Sequence, residues 1–217
     1  VTSYADLILL AVVLIDLYIL ASGRLASAVK GVALQGGALA LLPAAFASRA
    51  SWDFLAHVGV LSLGTLALKA GVIPFLLMRA MREANVRREV EPFVSLHVSV
   101  LLGAFLCGLS FWMGSLLELP RPAPSTMVVP VALATLLIGF LVVVSRRKAI
   151  TQVIGYLMLE NGIFIFGQCL ASEMPFVVEL GILLDVLVGV FVMGIAINHI
   201  SREFDDIDTD ALTTLKD

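Results

Sequence analysis

Long apolar stretches follow one another through this chain, at residues 4–22, 26–48, 54–79, 91–117, 125–145, 148–171 and 174–201. A helix needs roughly 20 apolar residues to cross a bilayer, so about seven crossings are expected. Of the 217 residues 60% are hydrophobic and only 14% are charged, and the mean hydropathy is +1.03. That leaves too little polar surface to cover a soluble globule. Inside a bilayer every backbone N–H and C=O must be bonded internally, which admits only helices and closed barrels. The alternation over roughly 10-residue units that a barrel shows is absent, so the expected fold is all-α, a polytopic bundle of about seven transmembrane helices.

Basic residues orient the bundle, because Lys and Arg in short loops stay on the cytoplasmic side. With the N-terminus outside, one set of loops holds Arg24, Lys30, Arg79, Arg82, Arg87, Arg88, Arg146, Arg147, Lys148, Arg202 and Lys216. The opposite set holds Arg49 and Arg121, and Lys69 remains inside a segment. The C-terminus is therefore expected in the cytoplasm. The first segment lacks the basic n-region and small-residue cleavage pattern of a secretory signal and reads as a retained helix.

Residues 120–124, Pro-Arg-Pro-Ala-Pro, cannot continue a helix and are expected to form an extended external link. The link divides four N-terminal helices, residues 1–121, from a three-helix unit with an acidic tail, residues 122–217. The charged connection from Arg79 to Glu91 reads as a solvated loop. The tail, with Glu203, Asp205, Asp206, Asp208 and Asp210, reads as solvated or as lying along a partner's surface. Cys107 and Cys169 have no paired ligand spacing, so neither a disulfide framework nor an iron–sulfur site is expected on this chain. No extramembrane stretch is long enough to fold into a catalytic domain, and nothing points to nucleic acid.

Charge inside the apolar stretches is where a function would lie. An ionised acid at the bilayer centre costs about 2.5 to 3.5 kcal/mol on insertion scales, so such residues pair, hold a proton or face water. Glu160 lies roughly 18 Å into the sixth segment from its basic end, and Asp185 roughly 16 Å into the seventh from the other side. Gln152, Tyr156 and Glu160 recur every four residues and form a polar ridge from the cytoplasmic end towards the midplane. Gly181 and Gly189 flank Asp185 at the same spacing, which favours close helix packing. Lys69 lies inside the third segment, and Pro74 disturbs the backbone beside it by removing a donor near Ala70. A Lys/Glu/Asp set of this kind exchanges protons when hydrated and forms a static ion pair when it is not. Asp16 in the first segment is expected to reach headgroup water. His97, beside Ser95 and Ser99, reads as a hydrogen-bonded packing residue or a relay. His97 and His199 share a side, but nothing else supports their holding a haem.

Residues 145–162, Ser-Arg-Arg-Lys-Ala-Ile-Thr-Gln-Val-Ile-Gly-Tyr-Leu-Met-Leu-Glu-Asn-Gly, and residues 178–185, Val-Glu-Leu-Gly-Ile-Leu-Leu-Asp, resemble component E of hydrogenase 4, the formate-hydrogenlyase type of membrane hydrogenase. The resemblance includes Lys69 with Pro74 and the terminal Leu212-Thr213-Thr214-Leu215-Lys216. The last three helices of that family are similar to the K subunit of bacterial respiratory complex I and to the C subunit of multi-subunit sodium/proton antiporters. In the complex I subunit a glutamate follows the Ile-Gly-x pattern directly. Here Leu157 holds that place and Glu160 comes three residues later, about 4.5 Å along the axis. Asp185 matches the second family carboxylate and is one methylene shorter.

The resemblance implies a membrane-arm subunit of a complex I-like oxidoreductase in a prokaryotic cytoplasmic membrane. Antiporter-like subunits and other membrane-arm subunits would surround it. A peripheral redox arm would carry iron–sulfur clusters, with or without a nickel–iron site, and no cofactor, metal or catalytic centre is expected on this chain. The expected role is proton translocation through Glu160, Asp185, Lys69, Tyr156, Gln152, Asp16 and His97. A structural anchor without its own proton path, or a subunit of a cation/proton antiporter complex, are the alternatives. A retinal-type pump would need its lysine on the last helix, which has none.

Overall fold

The computed structural model describes residues 2–46, 59, 62–83, 93–117 and 125–168, and all regular structure among them is helical. The helices are α1 (Thr2–Ala21), α2 (Leu25–Ala40), its short continuation α3 (Leu42–Phe46), a π-helical segment (Leu66–Val72) running into α4 (Ile73–Glu83), α5 (Leu96–Leu116), α6 (Val128–Ser145) and α7 (Ala149–Gly167). Together they make 6 spans long and apolar enough to cross a membrane. The expected seventh segment and the 120–124 link lie outside the described residues.

Local chemistry sets the ends. Ser95 caps α5 by accepting from the Val98 backbone N–H at 3.4 Å, so this helix begins at Leu96 and not near residue 91 as its apolar pattern suggests. Pro43 interrupts the second span, which breaks at Leu41 and resumes. Pro130 sits in the first turn of α6, where its missing N–H costs nothing. The third span outlasts its apolar run. Residues Ile73, Leu77, Ala80 and Met81 form a buried stripe that carries α4 on to Glu83, with Arg79 and Arg82 exposed on the helix and not in a loop.

Helix α1 is apolar all round. One stripe, Ala5, Leu9, Val12, Asp16 and Ile19, is buried, and the opposite one exposes Tyr4, Leu7, Leu14 and Tyr18, as a helix bordered by lipid does. Helices α6 and α7 pack along one another so closely that a Cβ on Gly139 would lie 2.7 Å from the Leu159 backbone nitrogen. Only a residue without a side chain lets the two backbones meet there.

The buried apolar side chains fall into two clusters. One holds Ile19, Leu20, Val29, Val32, Ile73, Ile138, Ile154 and Met158. The other holds Leu9, Val12, Leu39, Leu42, Val131, Ala132 and Ile165. On α2, α6 and α7 the buried polar residues Gln35, Thr135, Glu160 and Asn161 fall in the interval between these clusters, and on α1 Asp16 lies at their border, next to Ile15 of the first cluster. The bundle is therefore two apolar layers with a polar layer between them.

At one end Arg146 donates from Nη2 to the Leu20 carbonyl at 3.1 Å, the Phe93 N–H donates to the Ser145 carbonyl, and Arg147 stacks over the Phe93 ring at 4.3 Å. Arg146 is only 3% exposed. It lies in the loop between α6 and α7, as charge counting places it, but is buried there and closes the C-terminal end of α1, where free carbonyls favour a cation. Ser125 donates to Asp6 at the opposite end.

Candidate functional site in the polar layer

Lys69 is placed by an irregular backbone. Its π-helical segment is closed by a bond from the Ile73 N–H to the Leu68 carbonyl, five residues back. Pro74 follows with no N–H to restore the regular pattern. The lysine's own backbone meets α2 at Gly36, where a Cβ would lie 2.6 Å from the Lys69 Cβ and 3.0 Å from its carbonyl carbon. Any larger residue at 36 would push the lysine off the bundle.

From there Nζ reaches Glu160 Oε1 at 3.3 Å and Asn161 Oδ1 at 3.1 Å, with the Phe164 ring centroid 5.7 Å away. Lysine and glutamate are 6% and 3% exposed, so this is a buried ion pair. The network continues across the bundle. Asn161 Nδ2 donates to Gln35 Oε1 at 3.0 Å, and Gln35 Nε2 donates to Asp16 Oδ1 at 2.7 Å. Thr135 Oγ1 donates to the other carboxylate oxygen, Oδ2, also at 2.7 Å. Six side chains from α1, α2, the π-helical segment, α6 and α7 are thus joined, and none is more than 6% exposed.

Glu160 and Lys69, far apart in sequence, are brought together, and Asp16 joins them through two amides. Asp16 does not reach headgroup water as expected; it is fully buried, on the same stripe as Val12 and Leu9. Gln152 and Tyr156 do not continue the layer. Both are exposed on α7, because four-residue steps drift about 40° each on a helix of 3.6 residues per turn. Gln152 instead donates to the Arg146 carbonyl at 3.3 Å. His97 is exposed in the first turn of α5, whereas Ser99 is buried. Asp185, Gly181, Gly189 and His199 lie outside the described residues.

Gln35, Thr135 and Asn161 were not singled out by the sequence. An amide well inside an apolar span of 22 residues was a signal for Gln35, and adjacency to Glu160 was one for Asn161. Thr135 carried none, since a threonine can bond its own helix. No group of three or more His, Cys, Asp or Glu that could hold a metal ion occurs among the described residues.

A layer of this kind holds two carboxylates and one ammonium away from water inside the helical bundle. Each ionised group is stabilised only by its bonded neighbours, so a change of charge on one is felt by the rest.

No family model matches the chain, and no solved structure matches it. Among curated proteins it is 38% identical over 190 residues to the uncharacterized protein Rv0085 of Mycobacterium tuberculosis, covering 87% of this chain and 85% of that one. It is 29% identical over 148 residues to hydrogenase-4 component E of Escherichia coli strain K12, and to the same component in Shigella flexneri, over 68% of each chain. With its helical spans and buried polar layer, the chain is a multi-pass membrane protein that belongs to the family of Rv0085 and is distantly related to hydrogenase-4 component E.

Proposed function

We propose that this chain is a membrane-arm subunit of a hydrogenase-4-type, complex I-like respiratory complex of a prokaryotic cytoplasmic membrane. It takes part in proton translocation coupled to redox chemistry on other subunits. The observation that carries the reading is the buried Lys69–Glu160 pair at the centre of a hydrogen-bonded layer. A charge pair at that depth is costly, and in membranes such groups mark ion and proton routes by default. The relation to hydrogenase-4 component E supports a complex as the setting. In that setting Glu160 and Asp185 load and release protons, and Lys69 answers the charge of Glu160. Antiporter-like subunits are the membrane neighbours, and a peripheral arm holds the iron–sulfur and nickel–iron centres.

The deciding experiment measures proton pumping per electron turnover by the intact complex carrying Glu160→Gln or Asp185→Asn. Normal assembly with reduced pumping is expected, and wild-type pumping in both variants would sink the reading. The closed bonding of the layer favours one other role, a structural anchor in which the pair is static. Loss of assembly in the same variants, with no uncoupled complex recovered, would select it.

A further inference from the structure

The two amides of the layer have only one orientation that satisfies their neighbours. The Lys69 ammonium can only donate, so Asn161 must face it with Oδ1. An ionised Asp16 can only accept, so Gln35 must face it with Nε2. What remains is Asn161 Nδ2 against Gln35 Oε1, and those atoms meet as donor and acceptor at 3.0 Å. Turning Gln35 over would set N–H₂ against N–H₂ and an oxygen against the carboxylate, and turning Asn161 over would set N–H₂ against the ammonium and oxygen against oxygen. Every bond from Lys69 to Asp16 therefore points the same way, with a cation at the donor end and an anion at the acceptor end.

We infer that Lys69, Asn161, Gln35 and Asp16 form a one-way hydrogen-bond wire that couples the charge of the Lys69–Glu160 pair to the first helix. No proton crosses the amides. In a low dielectric each bond polarises the next, so a weaker donor at Lys69 weakens the hold of Asn161 on Gln35 and of Gln35 on Asp16. Among the described residues, the other groups facing Asp16 are the Thr135 hydroxyl of α6 and, within electrostatic reach on α5, the Cys107 thiol. Thr135 can turn from donor to acceptor, which leaves Asp16 room to change its charge without breaking the amide chain. Asp16, Gln35 and Asn161 are thus positioning residues for the pair. Their functional weight rests on the pair handling protons, whereas the wire itself does not.

The test is an equilibrium one on the full chain in lipid bilayers. The glutamines of the chain are Gln35, Gln152 and Gln168. Labelling their side-chain nitrogens for solid-state NMR gives one signal from the wire and two fold controls. Lys69→Met is expected to shift the Gln35 signal by more than its linewidth while Gln152 and Gln168 stay in place. In an Asn161→Leu background the same substitution is expected to produce no further shift. An unmoved Gln35 signal in folded Lys69→Met overturns the inference, and so does a full response in the Asn161→Leu background, which would mean a through-space field. If Lys69→Met does not fold, Glu160→Met removes the lysine's counter-charge without adding a labelled amide and must move Gln35 in its place; no movement there overturns the wire equally. Failure of the pumping experiment would leave these shifts intact, so the two readings fail separately.

Discussion

Helices α5 and α7 look alike by composition, both strongly apolar over about the same length, yet they are used in opposite ways. Helix α5 buries Ser99, Gly103 and Ser110 and turns Leu101, Phe105 and Trp112 outward. Helix α7 buries Ile154, Met158, Glu160 and Asn161. In a bilayer the outside is as apolar as the core, so apolar side chains have no preference for the interior. Small residues that permit close packing, and polar residues that need partners, decide which face turns in. Helix α5 shows the rule in its weak form, as a peripheral span held by small contacts. Helix α7 shows the strong form, as the helix through which the polar layer is knotted.

The largest effect that would sharpen this contrast is expected at the ion pair. Glu160→Leu leaves a buried ammonium facing an apolar side chain, and breaking a buried pair in this way costs about 3–5 kcal/mol. Denaturant unfolding in detergent should show the loss, and adding Lys69→Met should recover much of it. A double variant no more stable than the single would mean that the two residues do not depend on each other. Next comes Asn161→Leu, which removes two buried bonds and leaves the Gln35 oxygen unsatisfied, at about 1–3 kcal/mol. At the other extreme, Phe105→Ala on the outward face of α5 should stay within about 0.5 kcal/mol. A cost at Phe105 equal to that at Asn161 would break the comparison, because it would show that α5 is packed and not bordered by lipid.

The spans were legible in the sequence where the physics is local. Apolar length and the bilayer's thickness located the described ends of the six spans to within a few residues. The start of α5 moved because Ser95 supplies a cap that hydropathy does not count. The end of α4 moved because a buried stripe outlasts the apolar run. Of the site, Lys69 and Glu160 were conspicuous as charges out of place. Gln152 and Tyr156 looked equally placed, but a four-residue spacing drifts around the helix and leaves them on the outer face.

The sequence by itself determined that this chain crosses a membrane as helices and that buried charge lies within them, because lipid penalises unpaired polar groups wherever they occur. Only the tertiary structure decided which partners meet. Asp16 and Thr135, or Gln35 and Asn161, are more than a hundred residues apart in the chain and signal nothing to each other until α1, α2, α6 and α7 close. The pairing comes from backbone approach at positions such as Gly36 and Gly139, which sets the distances at which donors and acceptors either bond or remain alone.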